Sequence, residues 1–94
     1  MAISFDRKLR VAPDTLINLI EGEAVLLNLK SESYYGLDAM GAEMWTALTG
    51  SDSIGAAYEK LLDEYDVEPD RLRADLSTLV DQLVEKGLVE IASE

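Results

Sequence analysis

Carboxylates, lysines and tyrosines are the side chains of this 94-residue chain that could take part in catalysis, because it contains no histidine and no cysteine. Thiolate nucleophiles, disulfides, Cys/His zinc sites and imidazole acid–base catalysis are therefore excluded. Tyr34 and Tyr35 are adjacent, but the sequence pairs no activating base with either of them. We therefore expect a protein that is not an enzyme and that carries no cofactor.

The densest group of carboxylates lies in residues 63–70, with the sequence DEYDVEPD. A calcium-binding loop needs glycine at its sixth position, whereas this run has Glu68 there and Pro69 after it. Acidic residues beside a helix start are typical of solvated helix ends. We therefore expect no metal site.

The acidic balance of the chain argues against nucleic acid as a partner. It has 19 acidic and 8 basic residues, for a net charge of −11, whereas nucleic-acid affinity comes largely from Lys and Arg displacing counterions. No apolar run approaches the length of a membrane span, and charged residues follow the N-terminus before any stretch of signal-peptide length. We therefore expect a cytoplasmic protein that binds neither nucleic acid nor membrane.

The first part of the chain predicts three antiparallel strands at Leu9–Val11, Thr15–Ile20 and Glu23–Lys30. Glu21 and Gly22 form a two-residue hairpin loop, which fixes the register so that paired residue numbers sum to about 43. Both faces of the resulting ribbon are rich in apolar residues. One face must cover the core, and something else must cover the other, for which the protein's own N-terminus and helices are the simplest candidates.

After residue 37 the apolar spacing becomes helical. Asp38 and Ser53 are suitable N-caps, and Pro69 suits a first helical position. The predicted helices span about 38–49, 53–65 and 69–86, and Leu88–Ile91 is a short strand or an extended tail. The fold class is therefore α+β, with an N-terminal three-stranded antiparallel sheet followed by three helices, similar to a winged helix-turn-helix.

A DNA-binding winged helix would use its third helix for recognition. That helix offers Arg71, Arg73 and Lys86, but it also carries four carboxylates, at Asp70, Asp75, Asp81 and Glu85. A helix that enters a DNA groove needs net positive potential. We therefore reject DNA binding for this fold.

The third strand ends the predicted meander and is therefore expected at an edge of the sheet. Residues 24–29 are long, apolar and free of proline, so little discourages another strand from pairing with them. Two alternatives remain open. The edge could capture an extended peptide by β-augmentation, or it could pair with itself in a homodimer.

Several segments in this order resemble the PqqD-like family. They are residues 23–29 (EAVLLNL), 34–38 (YYGLD) and 41–45 (GAEMW), then Asp75-Leu76 and residues 86–89 (KGLV). The resemblance spans roughly residues 8–91 and implies a single PqqD-like domain over 1–94. Residues 30–35 (KSESYY) and Asp38 look closer to the stand-alone members of lasso-peptide clusters than to the protein of the pyrroloquinoline quinone pathway.

The resemblance implies a RiPP recognition element that acts as a precursor-peptide chaperone. Such domains bind the leader peptide as an extra strand on the third strand, against the third helix, and present it to a modifying enzyme or leader peptidase. The positions implied for peptide binding are Val25, Leu26, Leu27, Asn28 and Leu29 on the strand, with Arg71, Asp75 and Leu79 on the helix.

Overall fold

The computed structural model describes residues 5–92, which contain five strands and three helices. The strands are β1 (Leu9–Val11), β2 (Thr15–Ile20), β3 (Glu23–Asn28), β4 (Ser33–Leu37) and β5 (Val89–Ile91), and the helices are α1 (Ala39–Gly50), α2 (Ile54–Glu64) and α3 (Pro69–Glu85). The predicted α+β class, with a three-stranded antiparallel sheet followed by three helices, is confirmed.

The predicted hairpin register is also confirmed. Strands β2 and β3 pair from Thr15 opposite Asn28 to Ile20 opposite Glu23. Both turn residues have positive φ, 49° at Glu21 and 86° at Gly22, as the tightest β-hairpin turns require. The two-residue turn therefore sets which side chains of these strands share a face.

The membership of the three-stranded sheet differs from the prediction. Its order is β2-β3-β4, and β1 pairs instead with β5 in a separate two-stranded sheet. The predicted third strand ends at Asn28, because the chain turns at residues 29–32 and returns as β4. The terminal segment left open as strand or tail is β5, with Val89 opposite Val11.

The helices begin where the capping residues predicted. Asp38 accepts a hydrogen bond from the Gly41 amide at 2.8 Å, and Ser53 accepts one from the Ala56 amide at 3.0 Å. Pro69 is the first residue of α3. The C-terminal ends differ from the predictions by about one residue, and Gly87 follows α3 with φ of 72°.

The helices cover one face of the three-stranded sheet. Ala24, Leu26 and Asn28 of β3 are buried on this face, whereas Val25 on the opposite face is exposed. The buried side chains that the helices contribute include Trp45, Leu48, Ile54, Leu61, Leu76, Val80 and Leu83. Each fully buried leucine contributes about 1.5–3 kcal/mol relative to exposure, so this layer supplies most of the stability.

Within residues 5–92, no helix has the length and apolar character needed to cross a membrane.

Candidate functional site

The strand expected to have an open edge, β3, lies in the middle of the sheet. It pairs with β2 along Glu23–Asn28 and with β4 along Ala24–Asn28, and the Leu29 amide donates to the Asp14 carbonyl at 2.8 Å. The expectation of an open edge on the third strand of the chain is therefore wrong. The main chain of Val25–Leu29 can accept neither a peptide nor the same strand of a second copy.

Among residues 5–92, the edge strand of this sheet that borders α3 is β4, and no further strand pairs with its outer side. In a two-residue hairpin, the flanking residues Ile20 and Glu23 exchange both hydrogen bonds, and bonding direction then alternates along each strand. Following this alternation through the register of β3 and β4 leaves the main-chain groups of Tyr34 and Gly36 pointing away from β3. These are the groups available to another strand.

A groove lies between β4 and α3. On α3 it is lined by Asp75 and by the residues three, four and seven positions after it, which lie on one face of the helix. The groove has a volume of about 320 Å³. The residues that line it are Tyr35, Gly36, Leu37, Asp38, Gly41, Met44, Asp75, Thr78, Leu79 and Gln82. Its floor is apolar where Leu37, Met44 and Leu79 are buried, and its rims carry amide, hydroxyl and carboxylate groups.

Side-chain contacts define one end of the groove. The Tyr35 hydroxyl donates a hydrogen bond to Oε1 of Gln82, which joins β4 to α3. The Lys86 ammonium lies 5.8 Å from the centre of the Tyr35 ring, within the range of a cation–π interaction. This end of the groove is therefore bordered by an aromatic ring that contacts Gln82 of α3 and Lys86, the residue that follows α3.

At the other end the groove continues into a second hollow, of about 230 Å³, which Asp75 also borders. Met40, Val67, Arg71 and Leu72 complete it, and its lining is mostly apolar. An extended chain lying along β4 would therefore pass from an aromatic end, past two carboxylates, to an apolar hollow.

The residues proposed from the sequence divide between the groove and the remainder of the fold. Asp75 and Leu79 line the groove, and Arg71 lines the adjoining hollow. Leu26 is fully buried in the core, and Leu29 lies beyond the end of β3. Val25 and Leu27 belong to the face of the sheet that is turned away from the helices, since side chains alternate along β3.

The side chain of Asn28, one of the residues proposed for peptide binding, is buried and hydrogen-bonded within its own chain. Its side chain donates to the carbonyls of Lys86 at 3.0 Å and Gly87 at 3.3 Å, and accepts from the amides of Lys30 and Ser31. All of this hydrogen bonding lies within the chain. Asn28 thereby joins the turn before β4 to the turn after α3.

Sequence reasoning missed the strand half of the groove, Tyr35, Gly36 and Leu37, together with Met44, Thr78 and Gln82 on the helices. One available signal was the aromatic pair at residues 34–35, bounded by the turn at 30–32 and the N-cap Asp38, because aromatic residues favour strands. For Thr78 and Gln82 the signal was the helical spacing from Asp75.

The ion pair between Arg71 and Asp75 should contribute little to stability. The two groups lie 3.9 Å apart, with side chains 82% and 55% exposed. We expect Arg71→Ala to change the free energy of unfolding by less than about 0.5 kcal/mol, measured by urea denaturation. Leu79→Ala, on the same stripe but buried, should cost about 2–4 kcal/mol. A comparable loss for Arg71→Ala would contradict this interpretation.

Among residues 5–92 there is no cluster of three or more side chains able to hold a metal ion.

Comparisons with known proteins identify similar sequences and structures. The model of the family described as Coenzyme PQQ synthesis protein D (PqqD) matches residues 23–89. The structure of TbiB1 in complex with the TbiA(beta) leader peptide superimposes with a TM-score of 0.80 at 27% identity, covering 90% of this chain and 99% of that one. A lasso peptide synthetase B1 complexed with the leader peptide gives 0.77 at 26% identity, covering 88% and 98%. No curated protein gives a significant match.

Proposed function

The chain belongs to the PqqD family, and from this membership we propose that it binds the leader segment of a precursor peptide. The peptide is ribosomally synthesised, and its leader adds to the sheet as a strand beside β4. Both similar structures are complexes with leader peptides. The observation that carries the proposal is the edge of β4, which no other strand of the described part of the chain pairs with and which faces a groove on α3.

The main chain of β4 supplies the part of the binding that is independent of sequence. A strand beside β4 can bond to the outward N–H and C=O groups of Tyr34 and Gly36, as the sheet continues by one strand. Gly36 has no side chain, and its surroundings would leave space even for a Cβ. A docked chain can therefore approach this edge closely.

The groove supplies the sequence specificity. Alternate side chains of an added strand point toward the helices, where they meet the floor formed by Leu79 and Met44 and the rims formed by Asp38 and Asp75. One-strand docking of this kind reaches micromolar to nanomolar affinity, about −8 to −12 kcal/mol. This net affinity already includes the free-energy cost of ordering the leader on binding.

The bound leader is presented to a separate enzyme that modifies the precursor or removes its leader. The groups lining the groove bind and orient a chain, and the chemistry belongs to that partner. Because the leader occupies only the edge of β4, the remainder of the precursor can extend beyond the ends of the groove. The protein is therefore proposed as a non-catalytic recognition element.

Amide hydrogen exchange tests where the leader binds. In the presence of the leader peptide of its precursor, the amides of Tyr34 and Gly36 should gain protection, since they form new hydrogen bonds. Those of Val25 and Leu27, already inside the sheet, should change little. NMR of the labelled chain with and without peptide measures both, and a scrambled leader is the control. Unchanged exchange at Tyr34 and Gly36 during saturable binding would exclude this site.

A further inference from the structure

Among residues 5–92, no strand pairs with the outer edge of β2, at the side of the sheet away from the groove. Four of its six side chains are large, apolar and exposed: Leu16 by 54%, Ile17 by 39%, Leu19 by 66% and Ile20 by 52%. Residues 15–20 contain no charge and no proline. Soluble proteins usually protect such edges with one or the other.

The exposed apolar residues of β2 lie on both faces of the sheet. Register with β3 places Leu16 and Ile20 on the outer face, and Ile17 and Leu19 on the face toward the helices. The helices do not extend far enough to cover the second pair, and Leu19 borders an open hollow beside α1. Because both faces are uncovered, the feature suits continuation of the sheet beyond β2 and not merely a lid over one face.

Asn18 has two large apolar residues on either side of it in β2. In antiparallel pairing of two copies centred on this residue, Leu16 lies opposite Ile20 of the second copy, and Ile17 lies opposite Leu19 of the second copy. Each opposed pair shares a face, as antiparallel pairing requires. The single polar residue meets its own copy, where an amide can donate to and accept from an identical amide.

Charges also permit this register. The acidic residues nearest to β2 in sequence are Asp14 and Glu21, one at each end; Glu23 lies opposite Ile20 on β3, and Glu43 borders the hollow beside Leu19. Pairing centred on Asn18 puts Glu21 opposite Thr15 of the second copy, and Asp14 opposite Gly22 of the second copy. In this register no carboxylate lies directly opposite another. The pairing therefore avoids the destabilisation that opposed like charges would cause.

We propose that β2 is a self-association edge, at which two copies pair antiparallel around Asn18 to form a continuous six-stranded sheet. The order is β4-β3-β2 followed by β2-β3-β4 of the second copy. The interface is isologous, since the same strand serves both copies. Both β4 edges remain open at the two ends of the sheet, so dimer formation and peptide binding do not compete.

Cysteine cross-linking tests the register, because the chain has no cysteine of its own. Asn18→Cys should form a disulfide-linked dimer under mild oxidation, since facing Cα atoms in a non-hydrogen-bonded antiparallel pair lie about 4.5 Å apart. Leu16→Cys and Ile20→Cys, on the same strand and face, should not cross-link, because each lies opposite a different residue. Cross-linking of either control in preference to Asn18→Cys would overturn the register.

Sedimentation equilibrium over a concentration series tests the dimer itself. We expect reversible dimerisation that strengthens as salt screens the −11 charge of each copy. Leu19→Lys should raise the dissociation constant at least about tenfold, while Val84→Lys, a change at an exposed apolar residue of α3 outside β2, should not. A chain that stays monomeric up to millimolar concentration would overturn the proposal. The proposal would also be overturned if the chain formed no dimer and Leu19→Lys abolished the binding of a modifying enzyme, because the edge of β2 would then serve that enzyme.

Discussion

Replacing Gly36 by proline should weaken leader binding about 10- to 100-fold. Proline removes the N–H that points to the open edge and leaves a carbonyl of the docked peptide unpaired, which costs about 1–3 kcal/mol. The hydrogen bonds between β4 and β3 should survive, because Gly36 lies opposite Val25 in a pair whose main-chain groups point away from one another. Titration of a labelled leader by fluorescence anisotropy measures the change.

Gly36→Ala is the matched control for this loss. A Cβ at Gly36 would meet no heavy atom within 4 Å, and alanine keeps the N–H. We expect binding within a few-fold of the unaltered chain and a similar melting temperature for both variants, because proline is tolerated at sheet edges. Equal losses for the two variants would show that space and not the main-chain hydrogen bond limits binding at β4.

Asn28→Ala should lower the free energy of unfolding by about 2–4 kcal/mol, because it removes the hydrogen bonds that a buried side chain makes to two turns. Asn28 is 8% exposed, and its side chain bonds to the carbonyls of Lys86 and Gly87 and to the amides of Lys30 and Ser31. Losing these bonds frees the turn before β4 from the turn after α3. Denaturation in urea, followed by circular dichroism, measures the loss.

Ser31→Ala serves as the comparison in the same turn. Its hydroxyl bonds to the Ser33 hydroxyl at 2.7 Å in an exposed position, so we expect a loss below about 0.5 kcal/mol. If Asn28→Ala cost no more than Ser31→Ala, the side chain of Asn28 would be free, and its place among the peptide-binding residues would reopen.

The local features of the fold could be predicted from the sequence. Glu21 and Gly22 set the hairpin register, and Asp38, Ser53 and Pro69 mark the helix starts, because turns and caps depend on residues only a few positions apart. The strand that forms one side of the groove, β4, could not be predicted this way. Residues 33–37 are too short for alternation to distinguish a strand from a loop that precedes a helix.

The candidate site depended on strand order, which is not a local property. The apolar run of residues 24–29 looks like an unprotected edge in the sequence, yet the same composition suits a central strand with partners on both sides. Because β4 pairs with β3, the edge proposed for peptide binding is on β4 and not on β3. The predicted α3 positions Asp75 and Leu79 do line the groove, since helical spacing alone places them on one face of the helix.

The pairing of β1 with β5 bears on how the chain folds. Arg10 and Glu90, which form an ion pair 3.3 Å long across these strands, are separated by most of the chain, so joining them carries the largest loop-closure entropy among the pairings of the fold. The β2–β4 hairpins and the helices lie inside this loop and depend on nearer contacts. We therefore expect β1 and β5 to pair last, after the groove between β4 and α3 has formed.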